Sequence, residues 1–276
     1  MKTRTKNINK LISFYHSLIE QIKKDKKVFI VYCVLRVLAG VAIVRSAVQG
    51  QWESFAIGLL TLILFLIPPF IEKNFKIELP TALEIMGLVF IFSAQILGEI
   101  NNYYVKYPAW DTILHTVNGF MFSAFGFCLV DILNKNKRFR FQLSPLFLAL
   151  VSFCFSMTTG VIWEFFEFGM DYFFRTDMQK DFLINSISSG TLLTSGIDTK
   201  IIDNITNVII STADGKMYTL AGYIDIGIID TMKDLFVNFI GAVVFCTFGY
   251  IYVKQRGKNK LAEQFIPTPQ VKTENK

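Results

Sequence analysis

Six stretches of the chain, roughly 28–48, 54–72, 80–99, 111–133, 145–172 and 230–253, stay apolar for close to the ~20 residues a helix needs to cross a bilayer. Nothing else in the sequence restricts the fold so strongly, because backbone amides inside lipid must be satisfied within each segment. Composition agrees: 52% of the 276 residues are hydrophobic and 18% are charged, where a soluble domain averages about 25% charged. The expected fold is therefore all-α, a polytopic membrane helix bundle with six transmembrane helices. Cys33, Cys128, Cys154 and Cys246 all sit in apolar runs without a CxxC spacing, which argues against a disulfide framework or a zinc knuckle.

Orientation follows from Lys and Arg outside the spans. Twenty of them lie in residues 1–27, in the second and fourth connections and in the tail, against Lys106, Arg175, Lys180, Lys200 and Lys216 on the other side. Both termini are expected in the cytoplasm, in a multi-pass protein of the cell membrane, and the basic excess reads as a topology signal rather than as nucleic-acid binding. Residues 1–27 form a basic segment in which Ile8, Leu11, Ile12, Tyr15, Leu18, Ile19 and Ile22 recur at helical spacing, as in an amphipathic helix on the inner leaflet. His16 falls on its polar side, and the segment lacks the marks of a cleavable signal peptide. The membrane domain spans 28–253, its second span ends at Pro68-Pro69, which breaks the last turn or kinks it, and residues 254–276 make a basic cytoplasmic tail. The insertion 173–229 faces outward. Within it Val208–Thr212 and Lys216–Leu220 flank Ala213-Asp214-Gly215, a β-hairpin signal, and 186–199 reads as loop.

An ionisable side chain at mid-span costs roughly 2.5–3.5 kcal/mol, so the polar residues of the last three spans are the informative ones. Asp111, His115 and Asn118 lie on one face of the fourth span, Glu164, Glu167 and Asp171 on one face of the fifth, and Asp230, Asp234 and Asn238 on one face of the sixth. At a rise of about 1.5 Å per residue, Asp111, Asp171 and Asp230 form a rim. His115, Glu167 and Asp234 then lie about 6 Å deeper, and Asn118, Glu164 and Asn238 about 10–12 Å deep. The expectation is a polar pocket open to the outside, with Glu99, Asn101 and Asn102 as its fourth wall. The three Trp and Tyr103, Tyr104, Tyr107 and Tyr172 read as an interfacial aromatic belt. Arg45 is expected to neutralise a carboxylate, and Arg36 to pair with Glu84.

Trp110-Asp111-x-x-x-His115, Trp163-Glu164-x-x-Glu167 and Asp230-Thr231-x-x-Asp234-x-x-x-Asn238-x-x-Gly241-Ala242 resemble the YjdF-type family of uncharacterised bacterial membrane proteins. More distantly, the Asp-x3-His and Asp-x3-Asn-x2-Gly elements are similar to VanZ-like proteins, some of which are linked to low-level glycopeptide resistance. The resemblance covers about residues 80–250 and carries no settled activity with it.

Three readings stay open, beside a fourth in which the outer loop serves an assembly factor or binding protein. The polar groups glue the bundle through interhelical hydrogen bonds. Alternatively, Asp111, His115, Glu164, Glu167, Asp230 and Asp234 are the catalytic set of an enzyme acting on a lipid-linked or envelope substrate. Asn118, Asn238 and Glu99 would bind the substrate, and His115, Glu167 and Asp234 would hold Zn²⁺, Mn²⁺ or Mg²⁺. In the third reading the acidic cavity carries a cation or protons, although no inverted repeat is evident.

Overall fold

The computed structural model describes residue 20 and residues 25–135, 143–192, 198–255, 263–266 and 268–269. Its helical spans long and apolar enough to cross a membrane are six: Lys26–Val48, Trp52–Phe75, Thr81–Ile100, Trp110–Asp131, Pro145–Phe174 and Ile228–Lys254. They fall on the six expected stretches, with ends shifted by a few residues. The amphipathic helix expected within 1–27, His16, the basic residues Lys137, Arg138 and Arg140, and most of the basic tail lie outside the described residues.

The chain divides into two compact units, residues 1–160 with 237–276, and residues 161–236. The first holds helix α1 (Lys26–Val48), α2 (Trp52–Leu64), α3 (Ile67–Phe75), α4 (Thr81–Phe92), a π-helical stretch (Ser93–Ile100), α5 (Tyr103–Lys106), α6 (Trp110–Lys135) and parts of α7 (Pro145–Phe174) and α8 (Ile228–Lys254). Both α7 and α8 run unbroken through the dividing residues.

In α1 the buried residues Val28, Tyr32, Leu35, Ala39, Ala42 and Ser46 recur every three or four positions, while Val34, Val37, Val41 and Val44 are exposed. Both faces are apolar, as a helix between protein and lipid requires, and the inward face narrows to Ala39, Ala42 and Ser46 along its second half. That stripe packs with Phe65, Leu88, Ile96 and Ile100. The Asp25 carboxylate caps α1, accepting from the Lys27 N–H at 2.7 Å, and its other oxygen accepts the Thr81 hydroxyl at the start of α4.

Three local expectations are corrected here. Pro68 and Pro69 do not close the second span; they lie in the first turn of α3, and the break falls just before it, at Phe65–Leu66. A first helical turn has no use for the amide hydrogens that proline lacks. Arg36 does not meet Glu84: its guanidinium donates to the Leu62 carbonyl at 3.3 Å and lies 4.9 Å from the centre of the Tyr32 ring. Arg45 finds an amide rather than a carboxylate, donating to Asn101 Oδ1 at 2.9 Å.

A second cluster, with Leu83, Ala124, Phe127, Leu148 and Phe245, is completed by Ile266 from the tail. Strand β1 (Ile77–Glu78) pairs antiparallel with β8 (Thr268–Pro269), so part of the tail is bound to the bundle.

The second unit carries three antiparallel strand pairs: β2 (Leu183–Ile184) with β7 (Tyr223–Ile224), β3 (Ile187–Ser189) with β4 (Lys200–Ile202), and β5 (Val208–Ser211) with β6 (Met217–Leu220). The last pair is the expected hairpin. Its turn takes a positive φ only at Gly215 (84°), and Thr212 N–H closes it on the Lys216 carbonyl at 2.9 Å. The Ser/Thr/Gly-rich run expected as loop contributes β3, whose Ile187 finds Ile202 across the pair.

Candidate functional site

The first unit supplies a closely fitted crossing of α6, α7 and α8. A Cβ added at Gly119 would lie 2.0 Å from the Asn238 carbonyl oxygen, and one added at Gly241 would lie 2.0 Å from that of Thr116. Glycine is required at both, because only a missing side chain lets the backbones meet. Ser156 on α7 donates to the Gly119 carbonyl at 2.8 Å. Asn238, 1% exposed, sits at the centre: its Oδ1 accepts from Asn118 Nδ2 at 3.2 Å, and its own Nδ2 faces Met157 Sδ at 3.6 Å. A Cβ on Gly160 would lie 2.9 Å from that Nδ2. The two amides expected deep in the fourth and sixth spans are thus joined to each other.

One turn along α6 from Asn118 is His115, 7% exposed, whose Nε2 lies 3.5 Å from Asp111 Oδ1. Because α8 is unbroken, Asp234 stands one turn along it from Asn238, and is 1% exposed. Asp111, His115 and Asp234 each offer one ligand atom, and these atoms all lie within 4.8 Å of one another. Nitrogen and carboxylate donors at that separation are within reach of one Zn²⁺, Mn²⁺ or Mg²⁺ ion, whose bonds run ~2.0–2.2 Å. Two carboxylates in a largely buried place also call for positive charge. Among the described residues this trio is the group of that kind, and it takes Asp111 where the sequence pointed to Glu167.

The remaining residues of the expected set are placed as follows. On α7, Glu164 is 4% and Glu167 8% exposed, and Glu167 Oε1 accepts from the Trp163 indole at 2.9 Å. Asp230 is buried at the start of α8 and accepts from the Lys180 N–H at 2.9 Å. Asp171 accepts from the Met178 and Gln179 N–H groups at 2.7 and 2.8 Å and from the Thr176 hydroxyl at 2.7 Å. Asp230 and Asp171, read from spacing as a pocket rim, therefore clamp the chain that leaves α7. Asp225 adds a third clamp, accepting from Phe182 N–H at 2.6 Å and Ile229 N–H at 2.8 Å. Burial pushes its carboxyl upward, but these donors and Gly227 N–H outweigh that and hold it below the ordinary value. Glu99 is exposed on the π-helical stretch.

Sequence reasoning missed the fitted role of Gly119, Gly160 and Ser156. The signal was present as a small residue beside or across from each buried amide, but the partner helix is needed to read it.

A family model described as predicted membrane protein (DUF2238) matches residues 28–255, which cover the six spans except the first two residues of the first. The chain belongs to the DUF2238 family. The YjdF-type resemblance is consistent with DUF2238. An uncharacterized protein of Thermotoga maritima is 30% identical over 139 residues, which are 50% of this chain and 69% of that relative. No solved structure matches. This DUF2238 chain is therefore a membrane protein with six candidate spans among the described residues.

Proposed function

We propose that Asp111, His115 and Asp234 hold a divalent cation, and that the protein uses it to hydrolyse or transfer a group on a lipid-linked or cell-envelope substrate. The observation that carries this reading is the convergence of three N/O ligand atoms within 4.8 Å. Such an ion polarises a phosphoryl or carbonyl oxygen, or lowers the pKa of water so that it attacks at neutral pH. Glu164 and Glu167, both buried, are the general acid and base candidates. With both termini in the cytoplasm, as the Lys and Arg outside the spans imply, the site opens to the outer face, where envelope intermediates are met. Beyond Asn238, Ala242 and Phe245 are buried and apolar, which favours a closed pocket over a conducting path.

The test is elemental analysis of detergent-purified protein prepared without chelator, beside His115→Ala and Asp234→Asn. Roughly one equivalent of Zn or Mn is expected, and at least a tenfold loss in either variant. Because Mg²⁺ exchanges readily, a blank is repeated after Mg²⁺ and Mn²⁺ loading; a second blank would sink the reading.

A further inference from the structure

A convergence of charge of the opposite sign lies within the first unit. Arg45, in the last turn of α1, donates from Nη2 to the side-chain oxygen of Asn101 at 2.9 Å. Lys106, in α5, donates from Nζ to the backbone carbonyl of the same residue at 2.8 Å. Asn101 is itself fixed, its Nδ2 donating to the Ile96 carbonyl at 2.8 Å, so both its oxygens are turned toward the two cations. The bracket follows from the π-helical stretch, which carries on to the Asn101 N–H bonded to Ile96 O at 3.1 Å.

Both cations are exposed, and among the described residues neither has a carboxylate within ion-pair distance. A guanidinium has five N–H donors and an ammonium three. One of each is spent on Asn101, so most of the donors are left over, on two cations anchored to the same residue. A pair of cations with spare donors and no anionic partner is suited to a phosphate, which accepts several charge-assisted hydrogen bonds at once. The setting indicates which phosphate. Arg45 lies at the end of a span, and Lys106 lies in the short turn before the next one. The Tyr103 ring beside it packs on Tyr107 and Trp110, with centroids 4.7 and 4.9 Å apart. Aromatic rings of that kind collect at headgroup depth, where lipid phosphates lie.

We propose that Arg45 and Lys106, bracketed by Asn101, form a phosphate-binding site that takes the headgroup phosphate of an anionic lipid. The proposal holds independently of whether Asp111, His115 and Asp234 bind a metal.

The experiment is native mass spectrometry of the full chain, delipidated in a glycoside detergent and titrated with phosphatidylglycerol or with a phosphate-free glycolipid of the same acyl chains. The wild type is expected to retain phosphatidylglycerol about tenfold better than the glycolipid, as charge-assisted hydrogen bonds imply. The Arg45→Gln/Lys106→Gln double variant should lose that preference, and Arg45→Lys should keep part of it. The single variant Lys106→Gln, at an exposed side chain, gives the same reading if the double variant is poorly folded. Lack of competition from millimolar inorganic phosphate supports the lipid as ligand. Full displacement of the lipid by inorganic phosphate, or an unchanged preference in a folded variant, would overturn the assignment. The metal content of the same samples is read separately, so the failure of one site is not mistaken for the failure of the other.

Discussion

The crossing around Asn238 and the segment that follows α7 both bury polar groups, by opposite means. At the crossing the buried groups are neutral amides, and glycines bring helix backbones into direct contact. Around the segment that follows α7 the carboxylates of Asp171, Asp225 and Asp230 instead have their oxygens taken by backbone N–H donors of an irregular chain. The difference shows what decides the work of an aspartate in such a protein. Asp171, Asp225 and Asp230 each hold a turn of chain by the amides they accept. Asp111 and Asp234 instead have a histidine and each other as ligand-forming neighbours. Position along a helix does not separate these groups. The donors around them do.

The sharpest way to break this contrast is at the crossing. Gly119→Leu places carbon where the Asn238 carbonyl already stands, and should cost ~3 kcal/mol or more, enough to abolish a monodisperse folded protein. Gly169→Ala, where an added Cβ meets nothing within 4 Å, is the control and should unfold thermally like the wild type. Equal behaviour of the two variants would refute the tight crossing.

A smaller and local effect is expected in the second unit. Asp225→Ala strands the N–H groups of Phe182, Gly227 and Ile229, a loss of about 1–3 kcal/mol. It should show as faster protease cutting between residues 175 and 227 at an unchanged unfolding temperature for the bundle. Acid should imitate it. The Asp225 carboxyl is held below its ordinary value in the folded state, so its contribution is complete above that value and is lost as pH falls through the lower, folded one. Cutting that accelerates only on raising the pH would contradict the assignment.

The smallest effect belongs to Asp181, whose carboxyl is raised by burial and then by Asp177, Asp225 and Asp171. A raised acid costs stability at neutral pH and recovers it as pH falls through the folded value. Asp181→Asn should therefore slow the same cutting slightly at pH 7, by a few tenths of a kcal/mol for so exposed a charge, and make no difference near pH 3.

The spans were legible because lipid demands length and apolarity, which are properties of a segment by itself. The hairpin was legible for a related reason, since Asp214-Gly215 marks its turn locally. What could not be read locally was partnership. Pro68 and Pro69 signal a break, but not on which side of them it falls. Arg36 and Arg45 signal a need for acceptors, and the acceptors proved to be a carbonyl and an amide rather than carboxylates. Helical spacing places His115 and Asp234 at one depth and Asp111 one turn above them, at the rim. Glu167 stands at the same inferred depth as His115, yet the close trio takes Asp111, because depth along an axis leaves the distance between axes open. The strand at Ile187–Ser189 was hidden because its support comes from Lys200–Ile202, on the far side of a Gly- and Ser-rich stretch.

The π-helical stretch at Ser93–Ile100 behaves in effect as a one-residue insertion within an ordinary helix. Deleting a residue there would restore a regular α-helical winding and rotate everything downstream about the helix axis, carrying Asn101 and Lys106 together away from Arg45. Chain length in this segment is consequently part of the recognition chemistry, and a relative that lacks the extra residue would lose the phosphate bracket even with all three side chains retained.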